Sequence, residues 1–261
     1  MRETRTITAS SESTQFRKTI VMGKLSSQDT DWVQEIMQDW DHAVYYVDLA
    51  GNEHSPSGLR TKINKAKEAT PYLTYIVEHY DNLPDVAVFL HAHRKGWPEA
   101  WHNDAKDYDA VNMLHELQLD VVMERGYVNL RCLSTPGCPN EVQLNRNPPE
   151  DDRRAELAYP YVYGQFFNMT AEKVKEQISV IATPCCAQFA VSRDQIHQRP
   201  RSEYARYLTL IEESSYDDET LGTVMEYMWH ILFGRDAVYC EDTAQCWASV
   251  YGRRNGRSAW T

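Results

Sequence analysis

The chain has 261 residues and a formal net charge of -11, a length that fits one large domain with a full core. The acidic balance excludes a surface built to wrap DNA, so any polyanion must meet a local basic patch. No apolar run reaches the roughly 18 residues of a transmembrane helix, and the expectation is a cytoplasmic protein that does not enter the membrane.

Residues 1–18, rich in Ser, Thr, Glu and Arg, read as a flexible solvated arm. A single α/β catalytic domain is expected over 19–252, followed by a basic tail over 253–261 that carries Arg253, Arg254 and Arg257. Within the domain, Thr19 to Leu25 reads as a first strand. Trp32, Val33, Ile36, Met37 and Trp40 then recur at helical spacing. Ala43 to Leu49 is a second strand, and a turn-rich loop follows over Gly51 to Gly58. Ala69, Tyr72, Leu73, Ile76, Val77 and Tyr80 mark an amphipathic helix with Pro71 in its first turn, where proline is tolerated.

Pro84 introduces a third strand, Val86 to Leu90, apolar throughout. The alternation of strand and helix predicts a mostly parallel central sheet flanked by helices, Rossmann-like or glycosyltransferase-A-like, with the three strands as neighbours. Polar chemistry begins where the third strand stops: His91, His93, Arg94, Trp97, Trp101, His102 and Asn103 fall within thirteen residues. In open α/β sheets ligands bind beyond the carboxyl ends of the strands, so this stretch is the leading site candidate. Its bland alternative is a polar loop whose histidines are packed and satisfied.

Tyr108 to Leu117 reads as a helix and Val121 to Leu130 as one or two short strands. Cys132 to Glu150 reads as loop, with breakers at Pro136-Gly137 and Pro148-Pro149. Ile178 to Val191 is strand-like, interrupted by Pro184. The last third turns helical: Tyr204, Tyr207, Leu208 and Ile211 form one stripe, and Leu221, Val224, Met225, Met228, Trp229 and Leu232 a longer one. Both are read as core.

The cysteines, at 132, 138, 185, 186, 240 and 246, are expected to be reduced. The two outer pairs have five intervening residues each, unlike zinc knuckles. Cys185-Cys186 is read as an inert buried pair or, beside arginines, a nucleophile. No P-loop, dinucleotide fingerprint, zincin helix or hydrolase elbow occurs, so neither a cofactor nor a metal is expected, and an enzyme here would take a substrate that arrives activated. Two acidic groups stand out, Glu150 to Glu156 and Asp217 to Glu219, each of which also reads as a helix start. Glu226 sits beside an apolar stripe and so needs a partner. Arg193, Arg199 and Arg201 lie in the one basic stretch available to phosphates.

The blocks Asn64 to Arg94, Ala100 to Asn103, Gly126 to Cys132, Pro136 to Pro139, Cys185 to Ile196 and Glu226 to Gly234 resemble a fungal family labelled as a domain of unknown function, from about Thr19 to Gly252. Some of its members resemble the arginine-containing cyclodipeptide synthases, aminoacyltransferases of secondary metabolism that make cyclo(Arg-Xaa) diketopiperazines from aminoacyl-tRNAs. The resemblance implies arginyl-tRNA and a second aminoacyl-tRNA as partners. Those synthases are associated with a D-D-x-x-E motif; the nearest string here, Asp151-Asp152-Arg153-Arg154-Ala155-Glu156, is one residue longer. His91, His93, His102 and Glu156 are then the catalytic candidates, with His102 as general base. Arg94, Trp101, Asn103, Asp151, Asp152 and Glu226 would bind substrate, and Arg193, Arg199 and Arg201 the tRNA. The strand–helix order also resembles nucleotide-sugar glycosyltransferases at the level of fold. A glycosyltransferase-like enzyme and a small-ligand-binding module are therefore the alternative functions.

Overall fold

The structure, a computed structural model, describes residues 16–253 apart from 50–52 and 54. The arm up to residue 15, the tail from residue 254 and part of the Gly51–Gly58 loop lie outside the described residues.

The three expected strands form: β1 (Lys18–Lys24), then α1 (Asp31–Ile36), β2 (Asp41–Tyr46), α2 (Ala69–His79) and β3 (Val86–Leu90). Pro71 falls in the first turn of α2, as expected. Next come α3 (Ala110–Glu116), α4 (Leu119–Arg125) and β4 (Tyr127–Asn129). The strand expected from Val121 is therefore a helix in its first half. Its β-branched valines favour strand locally, but Gly126, at φ 77°, donates its N–H to Val122 O at 2.8 Å and caps a helix that buries Val122.

β5 (Val142–Gln143), α5 (Arg154–Phe167), α6 (Ala171–Gln177), β6 (Val180–Ile181), β7 (Phe189–Ser192) and α7 (Arg193–Ile196) follow. The helical last third holds α8 (Arg201–Glu212), α9 (Asp218–Glu226), α10 (Trp229–Leu232) and α11 (Thr243–Val250). Asp217 caps α9 by accepting the Thr220 N–H at 2.9 Å, as its acidic start suggested. The long stripe from Leu221 is not one helix: it breaks at Tyr227, whose carbonyl accepts the Tyr159 hydroxyl at 2.9 Å.

The main sheet runs β2-β1-β3-β7-β4. β2, β1 and β3 pair in parallel, whereas β7 is antiparallel to both β3 and β4. The sheet is thus mixed, with four strands running one way and β7 against them. β3, apolar throughout, and β7, apolar up to Ser192, are central and buried on both faces, which is why they show no alternation.

Period-two alternation decides the two cores. Val21, Tyr45, Ala87, Phe89, Tyr127 and Phe189 face α2, α5, α8, α9 and α10. Ile20, Met22, Val44, Val88, Leu90 and Ala190 face α1, α3, α4 and α11. The result is a sheet between two helical layers.

All six cysteines are paired, which corrects the expectation of reduced thiols: Cys132–Cys246, Cys138–Cys240 and the adjacent Cys185–Cys186. Equal spacing lets the two outer pairs match antiparallel, with Cα atoms 5.5 and 5.9 Å apart, inside the range a disulfide spans. They staple α11 and the segment before it to the loops after β4. Among the described residues no helix is long and apolar enough to cross a membrane.

Candidate active site

Register alone brings the candidate site together. The carboxyl ends of β1, β2 and β3 share one edge of the sheet. Because β7 is antiparallel and Phe189 pairs with Phe89, the loop leading into β7, with Cys185 and Cys186, arrives at that same edge. α2 begins there too, since it returns from this edge toward the start of β3. A cleft of about 530 Å³ opens between them, lined by Lys24, Gln28, Lys67, Glu68, His91, His93, Trp101, His102, Cys185, Cys186 and Glu226. Gly23, at the end of β1, is required by close approach: a Cβ there would lie 2.5 Å from Pro71 Cγ.

His91 follows β3 directly. Its backbone N–H donates to Gln188 Oε1 at 3.0 Å, and its Nε2 stands 3.1 Å from Glu68 Oε1. Burial pushes the imidazole down, but the Glu68 carboxylate, with Glu226 behind it, holds His91 above its ordinary value. Burial likewise opposes ionisation of Glu68, yet His91 keeps it below the usual carboxylate value. Glu226 ends α9, where the helix breaks. Its Oε1 accepts the Cys186 N–H at 2.8 Å. Burial, and the neighbouring Glu68, raise it above the usual value against that hydrogen bond. The edge therefore holds a His–Glu couple in which each partner favours the charged form of the other, beside a second carboxylate whose proton affinity is raised.

His102 stacks against His91 with ring centroids 4.2 Å apart. It is only 4 % exposed, and burial together with His91 pushes it down to about 2. His93 is also lowered by burial and by His91, and its Nε2 meets Gln28 Nε2 at 3.1 Å. Among the described residues, His91 is the one of the three histidines that lies within ion-pair distance of a carboxylate.

A family model described as a protein of unknown function, DUF3431, matches residues 20–249. The chain belongs to the DUF3431 family. No curated protein and no solved structure matches it.

In this DUF3431 chain the expected site assembles in part. His91, His93, Trp101, His102 and Glu226 share the cleft. The role given to His102 needs correcting, since a buried imidazole held so low takes no proton at neutral pH, and His91 has the better chemistry for a base. Asn103 is fully buried and structural: its Nδ2 donates to the carbonyls of Arg94 and Tyr108 at 3.1 and 3.0 Å, and its Oδ1 accepts from Gln188 Nε2 at 3.0 Å. Arg94 turns to Asp109, 3.4 Å away, and does not line the cleft. Trp101 lies under the Arg131 guanidinium, 4.7 Å from its ring centroid.

The acidic string lies elsewhere. Glu156 accepts from Arg146 Nε at 2.7 Å and from the Gln143 N–H at 2.8 Å, which clamps α5 to β5. Asp152 and Glu156 line a separate depression of about 230 Å³, and Asp151 is exposed. Neither catalysis by Glu156 nor substrate binding by Asp151 and Asp152 at the cleft fits this placement.

The arginines also stand apart. β7 ends opposite the start of β3, Ser192 pairing with Val86, so Arg193 leaves at the other edge of the sheet. There it pairs with Asp85 at 2.8 Å, Arg199 with Glu203 at 2.9 Å, and Arg201 donates to Val77 O at 2.8 Å. They are a self-satisfied surface, not a wall of the cleft.

Sequence reasoning missed Glu68, Lys24 and Lys67. For Glu68 a signal existed: in a strand–helix–strand unit the helix begins at the edge where the strands end, so a carboxylate before Ala69 belongs to the site. Ala66 and Lys67, at φ 55° and 53°, make the tight left-handed approach that places it.

Proposed function

We propose that this protein is an aminoacyl-tRNA-dependent transferase that makes cyclo(Arg-Xaa) diketopiperazines. The observation that carries the reading is the grouping of Glu68, His91 and Glu226 in one cleft. Glu226, anchored through its Oε1, presents a half-buried carboxylate to a guanidinium. Binding a cation beside it draws Glu226 to its ionised form. Neutral His91 accepts the proton of the α-amine as that amine attacks the ester carbonyl of the second substrate. A C–N bond forms, the C–O bond to the tRNA ribose breaks, and His91 returns the proton to the leaving hydroxyl. A second, intramolecular attack closes the ring and releases the other tRNA. Trp101 walls the pocket for the second side chain. Lys24 and Lys67 are the cleft's cations for the phosphates of the tRNA ends, because Arg193, Arg199 and Arg201 face the opposite edge.

The test is expression in a bacterial host with mass spectrometry of the medium, followed by a cell-free assay with and without RNase. Arginine diketopiperazines that depend on intact tRNA are expected. Their absence from a folded, soluble preparation supplied with charged tRNA would overturn the reading.

One observation favours a second reading. Disulfides persist in oxidising compartments, whereas a charged-tRNA substrate goes with cytoplasmic residence. A nucleotide-sugar transferase of an oxidising lumen meets no such conflict, with Lys24 and Lys67 toward a diphosphate and Glu68 and Glu226 toward a divalent metal. Sugar-nucleotide turnover stimulated by manganese, with no diketopiperazine formed, selects it.

A further inference from the structure

The Cys185–Cys186 bond has no role in the chemistry above, and chain entropy does not explain it. The other two disulfides close segments with sequence separations of 114 and 102, but this one joins neighbours and constrains almost nothing in the unfolded chain. Its backbone is held in the left-handed region, at φ 87° for Cys186 and 49° for Ala187, a conformation that such residues adopt only where the surroundings impose it. Both cysteines line the cleft. The two Sγ atoms and a carboxylate oxygen of Glu226 all lie within 4.8 Å of one another, and Glu226 is fixed there by the Cys186 N–H.

We propose that reduction of this pair by a dithiol creates a site in the cleft for a thiophilic divalent cation, with Cys185, Cys186 and Glu226 as its ligands. The dithiol gives two electrons and two protons to the Cys185–Cys186 bond and itself closes to a disulfide. The cation then displaces both thiol protons and binds two thiolates and the carboxylate. Sulfur ligands select zinc or cadmium over magnesium or calcium. Three protein ligands leave a fourth position open toward the cleft. In the oxidised protein the pair offers no thiolate, so binding of a thiophilic cation is gated by the redox state of the pair. An occupied site would also take Glu226 away from any guanidinium.

The probe is cadmium, added to the full chain before and after treatment with a dithiol and read by thiolate-to-cadmium absorption in the ultraviolet. Absorption that saturates with one equivalent in the reduced protein, and is absent in the oxidised protein, is expected. The Cys185→Ser/Cys186→Ser variant should lose it, and Glu226→Gln should weaken cadmium binding by at least about tenfold. No absorption in the reduced wild type, or equal absorption in the double variant, overturns the proposal. If the double variant does not fold, alkylation of the reduced wild type mapped by mass spectrometry decides. Cadmium must protect Cys185 and Cys186; protection confined to the other four cysteines overturns the proposal equally.

Discussion

His91 and Glu68 hold each other in charged form, and the consequences run in opposite directions with pH. His91 is raised above its ordinary 6.5, so its share of stability is complete below that value and is lost as pH rises through the folded pKa. Glu68 is lowered from 4.5, so its share is complete above that value and is lost as pH falls through the folded pKa. Between 4.5 and 6.5 the pair is at full strength. As a base His91 works only when neutral, so the rate should climb with pH through a value above 6.5. Glu68→Gln should move that limb to lower pH, and His91→Ala should cost about 10²–10⁴-fold in rate. A limb unmoved by Glu68→Gln would detach the couple from catalysis. His102→Ala, by contrast, should lower the melting temperature without shifting the limb, because His102 stays neutral across the range. Glu156→Gln should likewise lower the melting temperature, by unclamping α5 from β5, and leave product formation intact.

Elements position these residues, and the tightest junction is between β1 and α2. Pro71 in the first turn of α2 packs on Gly23, so any side chain there pushes away the turn that carries Glu68. Gly23→Ala should cost about 1–3 kcal/mol through overpacking, seen as a lower denaturation midpoint, and should reduce turnover along with it. Stability and activity both unchanged would mean that α2 can yield at this point without moving Glu68. The broken helix at Tyr227 has a comparable role. An unbroken α9 would carry its register straight past Glu226, whereas the break leaves that carboxylate at a helix end, against the loop that enters β7.

Two cross-links organise the molecule as a whole. Cys132–Cys246 and Cys138–Cys240 tie the last helix to the loops beyond β4, and Cys132 and Cys246 are themselves packed in the core on that side of the sheet. Thiol titration in denaturant without reductant should therefore find no free thiol. Cys246→Ser should cost about 2–5 kcal/mol. Several free thiols in freshly prepared protein would remove the cross-links from the account of stability.

Local pattern determined the α/β class, the three neighbouring strands, α2 with its proline, the acidic cap of α9 and the edge at which the site sits. Each follows from hydrophobic period or turn chemistry within a dozen residues. His91, His93, Trp101 and His102 were legible because they follow one strand directly. Only tertiary structure decided the rest. Whether β7 runs with or against β3 depends on how a long connection returns, and that direction delivers Cys185–Cys186 to the cleft while sending Arg193 to the opposite edge. The partner of Glu226 lies 40 residues away and that of Cys132 lies 114 away, separations at which neither periodicity nor spacing carries information. The proton affinities of His91 and His102 depend on burial and on charges from other elements, so two histidines of one short segment are shifted in opposite directions.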